Sequence, residues 1–115
     1  MIKILKNASD FETIVKTDKN VLVDFNATWC GPCRMMGRIL QGIENDYSDI
    51  TFLKVDTDDF PEIAQIFGVV SIPDMVAFKD GKRIRVKVNG EEEDAIIGAL
   101  PEDSFRTTLD DTFRK

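Results

Sequence analysis

Histidine is absent from this 115-residue chain, and cysteine is limited to two residues. Without an imidazole, the chain has no histidine-assisted nucleophile of the kind that hydrolases use. Structural zinc prefers four thiolate or imidazole ligands, so two cysteines would need carboxylates to complete a site within one chain. The sequence therefore predicts no bound metal, and a cluster shared between two chains is a weaker alternative.

Long apolar runs and a basic charge balance are also missing. No stretch of about 18 apolar residues is present to cross a membrane, and residues 1–5 lack the apolar core of a signal peptide. The formal net charge of −6 disfavours contact with a phosphate backbone. We expect a cytoplasmic protein that binds neither membrane nor nucleic acid, folded as a single domain over residues 1–115.

Predicted strands and helices alternate along the first two thirds of the chain. Apolar and β-branched runs predict strands at residues 2–5, 21–25, 51–56, 75–78 and 84–88. Helical spacing predicts helices at 9–16, with capping-box spacing at Ser9 and Glu12, then at 33–47, at 59–67, and along Phe105, Leu109 and Phe113. The turn signal Asp80-Gly81 predicts a hairpin, so the sheet should be mixed.

An acidic run at residues 91–94 follows a second turn signal, Asn89-Gly90. The simplest interpretation of this run is a solvated loop, and the alternative is a docking surface for a basic partner.

The two cysteines, Cys30 and Cys33, lie where a predicted strand passes into a predicted helix. A bridge between them closes too small a loop to add much stability, so the pair indicates reversible exchange. Unpaired N–H groups at a helix N-terminus favour a thiolate. Cys30, expected to be the more exposed, should attack, and Cys33 should resolve the mixed disulfide. Gly31 permits close approach, and Pro32 suits the first helical turn.

These residues sit within a longer pattern that spans nearly the whole chain. The pattern comprises residues 23–25, 29–33, 55–56, 67–69, 71–73, Phe78, Gly81 and 98–99. In this order the sequence resembles the thioredoxin family. The resemblance implies the thioredoxin fold, an α/β architecture with a mixed central sheet of about five strands, flanked on both faces by about four helices.

The resemblance also implies a substrate-binding surface beside the dithiol. The residue matching Pro73 has a cis peptide bond, which leaves the backbone of Ile72 free to pair with an extended substrate segment. The implied surface consists of Trp29, Gly31, Pro32, Val70, Ser71, Ile72, Pro73, Gly98 and Ala99. Gly98 and Ala99 also suit a tight turn between strand and helix, and both roles can hold.

Asp24 is the one charge on an otherwise apolar predicted strand. The resemblance implies that it lies beneath the dithiol. Burial there would raise its pKa and suit it to take a proton from Cys33. The alternative is a strand-end aspartate whose oxygens are satisfied by backbone N–H groups.

Four features depart from the family pattern. Arg38 stands where many members have a proline that kinks the long helix. Phe52 stands where a lysine often accompanies the aspartate, so Asp24 is expected to lack a cationic neighbour. Asp74 replaces the usual threonine and is expected to raise the pKa of Cys30 and discourage acidic substrates. Residues 86–94 lengthen the last part of the chain, either as a partner contact or as a neutral insertion.

The resemblance implies a protein-disulfide reductase that carries electrons through its dithiol. It implies disulfide-containing client proteins, an NADPH-linked thioredoxin reductase as the recycling partner, no bound cofactor and a monomer. One alternative is a binding or assembly subunit with little redox turnover. A narrower alternative is an oxidase or isomerase of the same fold, although Gly31-Pro32 resembles the reducing members.

Overall fold

A computed structural model describes all residues from Met1 to Lys115. The helices are α1 (Ser9–Thr17), α2 (Gly31–Ile43), α3 (Pro61–Ile66) and α4 (Glu102–Phe113), with a 3₁₀ turn at Glu44–Tyr47 that extends α2. The strands are β1 (Ile2–Ile4), β2 (Asn20–Asn26), β3 (Thr51–Asp56), β4 (Asp74–Lys79), β5 (Lys82–Ile84), β6 (Val86–Val88), β7 (Glu91–Glu93) and β8 (Ile96–Ile97). No helix combines the length and apolar character needed to cross a bilayer.

The main sheet is mixed, as predicted. Its strand order is β1-β3-β2-β4-β5, and the short β8 also pairs with β4. The strands β1, β3 and β2 run parallel, whereas β4 is antiparallel to β2, β5 and β8. The sheet therefore has six strands rather than about five. Its centre is β2, which is buried along nearly its whole length, as its continuous apolar run predicts.

Helices cover both faces of this sheet, which confirms the predicted layers. Leu22 on β2 packs with Met36 and Leu40 of α2 and with Leu109 of α4 in one core. On the opposite face, the neighbouring strand positions pack against α1 and α3 in a second core that includes Val23. Because successive strand residues point to opposite faces, each buried residue of β2 belongs to one of these two layers.

Two tight turns match the sequence signals at Asp80-Gly81 and Asn89-Gly90. Both residues of each turn have positive φ, at 53° and 79° in the first and 52° and 82° in the second. These values suit the primed two-residue turns that connect antiparallel strands. The first turn joins β4 to β5, and the second joins β6 to β7.

The prediction of one strand over residues 84–88 was wrong. The sheet strand β5 ends at Ile84, and β6 then pairs with β7 in a separate two-stranded ribbon. Val86 is fully buried in the α2–α4 core, and the Lys87 N–H donates to Thr112 Oγ1 on α4 at 3.0 Å. Packing against α4 therefore takes the chain away from the edge of the main sheet.

The acidic residues 91–94 are only partly as predicted. Their side chains are exposed, but Glu91–Glu93 form strand β7 rather than a loop. At the other end of the chain, α1 begins at Ser9 itself with no side-chain cap, and Glu12 pairs with Lys16. The expected capping box is therefore not formed.

Candidate active site

The two cysteines form a disulfide at the N-terminus of α2, with their Cα atoms 5.2 Å apart. Cys30 is the N-cap residue, and the Cys33 N–H donates to Cys30 Sγ at 3.1 Å. Pro32 lies in the first turn, where a missing N–H removes no helical hydrogen bond. The N-terminus of the helix thus places an N–H that has no partner within the helix, and the positive end of the helix dipole, beside Cys30 Sγ.

The two cysteines are almost equally buried in the disulfide form, so exposure does not single out Cys30. Cys30 is 5% exposed and Cys33 is 4% exposed. Both pack with Ala27 and the half-buried Ile72 in a small cluster. What separates the two sulfurs is the backbone N–H at Cys30 Sγ, since a thiolate formed there gains a charge-assisted hydrogen bond.

The peptide bond between Ile72 and Pro73 is cis, as the resemblance implied. This loop faces the disulfide, because Cys30 Sγ lies 3.8 Å from the carbonyl oxygen of Ile72. The Ile72 N–H makes no backbone hydrogen bond within the chain. It is therefore available to an incoming extended segment.

The loop at Gly98 lies directly against the proline loop. The Gly98 N–H donates to the Pro73 carbonyl at 2.8 Å, and Gly98 has a φ of +85°. Gly98 is therefore a turn residue that lies against the cis-proline loop. Ala99 is half-buried, and it packs partly against the α2–α4 core.

Large apolar side chains remain exposed around the dithiol region. Trp29 is 68% exposed and Val70 is 96% exposed, and Gly31, Pro32 and Ser71 are also exposed. Sequence reasoning missed Ile97, which is 58% exposed beside Gly98. The signal for it is the pair Ile96-Ile97 on a strand, of which only one can face the core.

Asp58 is a second residue that sequence reasoning missed. Its Oδ2 accepts a hydrogen bond from Trp29 Nε1 at 2.9 Å. Asp58 lies just after β3, and no local sequence pattern connects it to the indole. The contact fixes one edge of an exposed ring.

Asp24 lies on the sheet face that α2 covers, since it pairs in register with Met75 of the α2–α4 core. It is 1% exposed, and neither carboxylate oxygen has a hydrogen-bond partner. The alternative of a carboxylate satisfied by backbone N–H groups was therefore wrong. Burial raises the pKa of Asp24 to about 6, an effect that the positive charge of Lys54 partly offsets.

The expectation that Asp24 lacks a cationic neighbour was also wrong. Phe52 is buried opposite Leu22, and Lys54, two residues further along β3, is the residue directly opposite Asp24. Lys54 Nζ reaches α2, where a Cβ built on Gly37 would lie only 3.3 Å from it. Gly37 therefore leaves room for the ammonium group one helical turn after Cys33, and α2 runs uninterrupted through Arg38.

Asp74 occupies the opposite face of the sheet. It pairs in register with Phe25 of the α1–α3 core and is 5% exposed. Burial raises the pKa of Asp74 to about 6, and Arg83 opposes that shift. Neither cysteine lines the cavity beside Asp74. Its expected effect on the Cys30 pKa stays a prediction.

A buried disulfide at a helix N-terminus, in contact with a cis-proline loop, defines a thiol–disulfide exchange protein. The family model described as Thioredoxin matches residues 2–102. Thioredoxin-1 of Schizosaccharomyces pombe is 43% identical over 101 residues, which cover 88% of this chain and 89% of the relative. Thioredoxin of Porphyra purpurea is 40% identical over 104 residues, which cover 90% and 89%.

A solved structure agrees with these sequence relatives. The oxidised mitochondrial thioredoxin 3 of Saccharomyces cerevisiae superimposes with a TM-score of 0.77 at 36% identity, covering 95% of this chain and 94% of that one. The chain belongs to the thioredoxin family. The predicted fold class and protein-disulfide reductase activity are confirmed, and no comparison favours a binding or assembly subunit.

Proposed function

We propose that Cys30 is the attacking thiolate and Cys33 the resolving thiol of this reductase. The Cys30 thiolate attacks one sulfur of a client disulfide, forming a mixed disulfide and releasing the other client sulfur as a thiolate. Cys33 then attacks Cys30 Sγ, which frees the client as a dithiol and leaves the Cys30–Cys33 disulfide. Two electrons pass to the client. The supporting observation is the Cys33 N–H that donates to Cys30 Sγ at 3.1 Å.

Asp24 is proposed to take the proton that Cys33 loses when it attacks. Three observations support this role: burial under α2, two carboxylate oxygens without a partner, and a pKa raised to about 6. A base with this pKa is ionised at neutral pH and still holds a proton more strongly than an exposed aspartate does. The positive charge of Lys54 lowers the pKa of Asp24 and so favours its ionised form, which is the form that accepts a proton.

Client binding is proposed at the loops that meet beside the disulfide. An extended client segment would pair with the free Ile72 N–H and contact Trp29, Gly31 and Pro32 on one side. The other contacts proposed are Val70, Ser71, Pro73, Gly98 and Ala99. Trp29 precedes Cys30, Val70 lies two residues before Ile72, and both are exposed. They support this surface, because a group of exposed apolar side chains beside a reactive centre marks a contact site.

The oxidised protein must be reduced again before a second turnover. We therefore propose an NADPH-linked thioredoxin reductase as the recycling partner. We also propose a monomer acting as a single domain over residues 1–115, with the cytoplasm as its compartment, because glutathione and thioredoxin systems keep thiols reduced there.

Reduction of insulin disulfides with limiting thiol reductant tests the assignment of Cys30 and Cys33. Wild type should accelerate reduction, and Cys30→Ser should show no acceleration over reductant alone. Ser48→Ala, at an exposed position beyond α2, is the control and should match wild type. Turnover by Cys30→Ser equal to that of wild type would refute Cys30 as the attacking residue.

Replacing the reductant with NADPH and a purified thioredoxin reductase tests the partner. Sustained NADPH oxidation that requires both this protein and insulin is the expected result. No oxidation, from a protein that is active with the chemical reductant, would rule that reductase out as the recycling partner.

A further inference from the structure

A cavity of about 500 Å³ opens where the proposed client surface ends. Asp74 lines it directly after Pro73, and Ile97 lines it directly before Gly98. The remaining lining residues are Phe67, Gly68, Arg83, Asp94 and Ala95. The two loops that meet beside the disulfide thus each contribute an adjoining residue to this cavity.

Asp74 is the unusual group in the cavity. It is 5% exposed, and its Oδ1 is buried without a hydrogen-bond partner. A buried carboxylate oxygen without a donor is destabilising, and a cation placed in the cavity that this carboxylate lines would offset part of that penalty.

The nearby cation does not supply the missing donor. Arg83 donates to the Asp94 carbonyl at 3.0 Å, and its guanidinium lies 5.6 Å from the centre of the Phe67 ring. It forms no ion pair with Asp74. The Asp94 carboxylate lies 3.9 Å from the guanidinium of Arg85, which is a long distance for an ion pair. Two carboxylates and one arginine line the cavity, so its formal charge is negative.

We propose that this cavity is a client subsite for a lysine or arginine side chain, which donates to the Asp74 carboxylate while the client segment lies across Ile72 and Pro73. The inference rests on the proposed client surface and names the class of client that the surface prefers. A charge-assisted hydrogen bond is roughly twice as strong as a neutral one, which is enough to select among clients.

Three disulfide peptides of equal length test the subsite, with lysine, norleucine or glutamate at the position flanking one cysteine. Wild type at pH 7.5 should reduce the lysine peptide with a kcat/KM about tenfold above the norleucine peptide, the size expected of one such bond. The glutamate peptide should be slowest. Equal rates for all three would overturn the subsite, while turnover that depends on Cys30 would leave the reductase assignment standing.

Asp74→Asn removes the charge with little change in shape and should bring the lysine-to-norleucine ratio close to one. Asp103→Asn removes the same charge from an exposed position on α4 and should keep the wild-type ratio. A ratio retained in Asp74→Asn would place the selecting group elsewhere, and a ratio lost in Asp103→Asn would attribute the selection to the overall negative charge. Either result would overturn the subsite.

A second readout needs no substitution at Asp74. Each peptide can be trapped on Cys30 in a Cys33→Ser variant, and the Asp74 carboxyl can be titrated by its ¹³C chemical shift. The lysine peptide should lower the apparent pKa of Asp74 relative to the norleucine peptide. Superimposable titrations would overturn the proposal even if the rates differ.

Discussion

Asp24 and Asp74 lie on neighbouring strands of one sheet and differ in what they face. Both are buried, and burial raises the pKa of each to about 6. Asp24 is enclosed under α2 beside Lys54, whereas Asp74 points to the other face and lines an open cavity with Arg83. Burial alone therefore does not assign a role to a carboxylate.

The surroundings favour a different proposed role for each carboxylate. Asp24 is closed off from any client and sits beneath the helix that carries the dithiol, so it can serve proton transfer. Asp74 is closed off from that layer and open to a client, so it can serve recognition. Burial of a carboxylate thus accompanies two different proposed roles, proton transfer on one face and client recognition on the other.

The largest effect that separates the two roles is expected from Asp24→Asn. Release of reduced client from the mixed disulfide at pH 7 should slow about a hundredfold, since a positioned base contributes roughly that much. Stopped-flow fluorescence of Trp29 during single turnover would measure this step. Asp103→Asn is the control. A release rate in Asp24→Asn equal to that of wild type at every pH from 6 to 8 would remove the base role.

The same substitution should stabilise the fold. In wild type the folded state holds the Asp24 proton up to about pH 6, whereas the ordinary pKa is 3.8. Stability is therefore lost as the pH rises from about 4 to 6 and stays level above. Asp24→Asn should be more stable by about 3 kcal/mol at pH 7 and by much less at pH 4.

Urea unfolding of the oxidised protein at both pH values would measure this difference. Asp74→Asn should gain less at pH 7, because its cavity is open to water and the charge there is better screened. An Asp24→Asn protein with no gain at pH 7 would show that the carboxyl ionises without penalty.

A smaller effect is expected from Lys54→Met, which removes the charge beside Asp24. The pKa of Asp24 should rise further, since Lys54 holds it down. The pH profile of client release should move to higher pH, while selection among charged peptides stays the same. Lys6→Met, at an exposed position, is the control, and matching profiles for both variants would exclude Lys54 as a partner of Asp24.

The smallest effect is expected from the ribbon. The side chains of Glu91 and Glu93 are exposed, so Glu91→Gln with Glu93→Gln should change stability by less than about 0.5 kcal/mol. The preference for the lysine peptide should persist in the double variant. Loss of that preference would support the acidic run as the docking surface and would weaken the assignment of the subsite to Asp74.

Local patterns predicted the parts of the molecule that depend on local chemistry. The dithiol at a helix N-terminus, the two turns with positive φ and the buried centre of β2 all follow from neighbouring residues. Lys54 was missed because its position opposite Asp24 depends on the register between β2 and β3. The ribbon was missed because the burial of Val86 depends on α4, which comes later in the chain.

The mixed disulfide that each single-cysteine variant traps shows which cysteine attacks first. Cys30→Ser and Cys33→Ser would each be mixed with an activated client disulfide, quenched with acid and mapped by mass spectrometry. We expect rapid attachment to Cys30 in Cys33→Ser and little attachment to Cys33 in Cys30→Ser. Equal rates of attachment in the two variants would contradict Cys30 as the attacking residue.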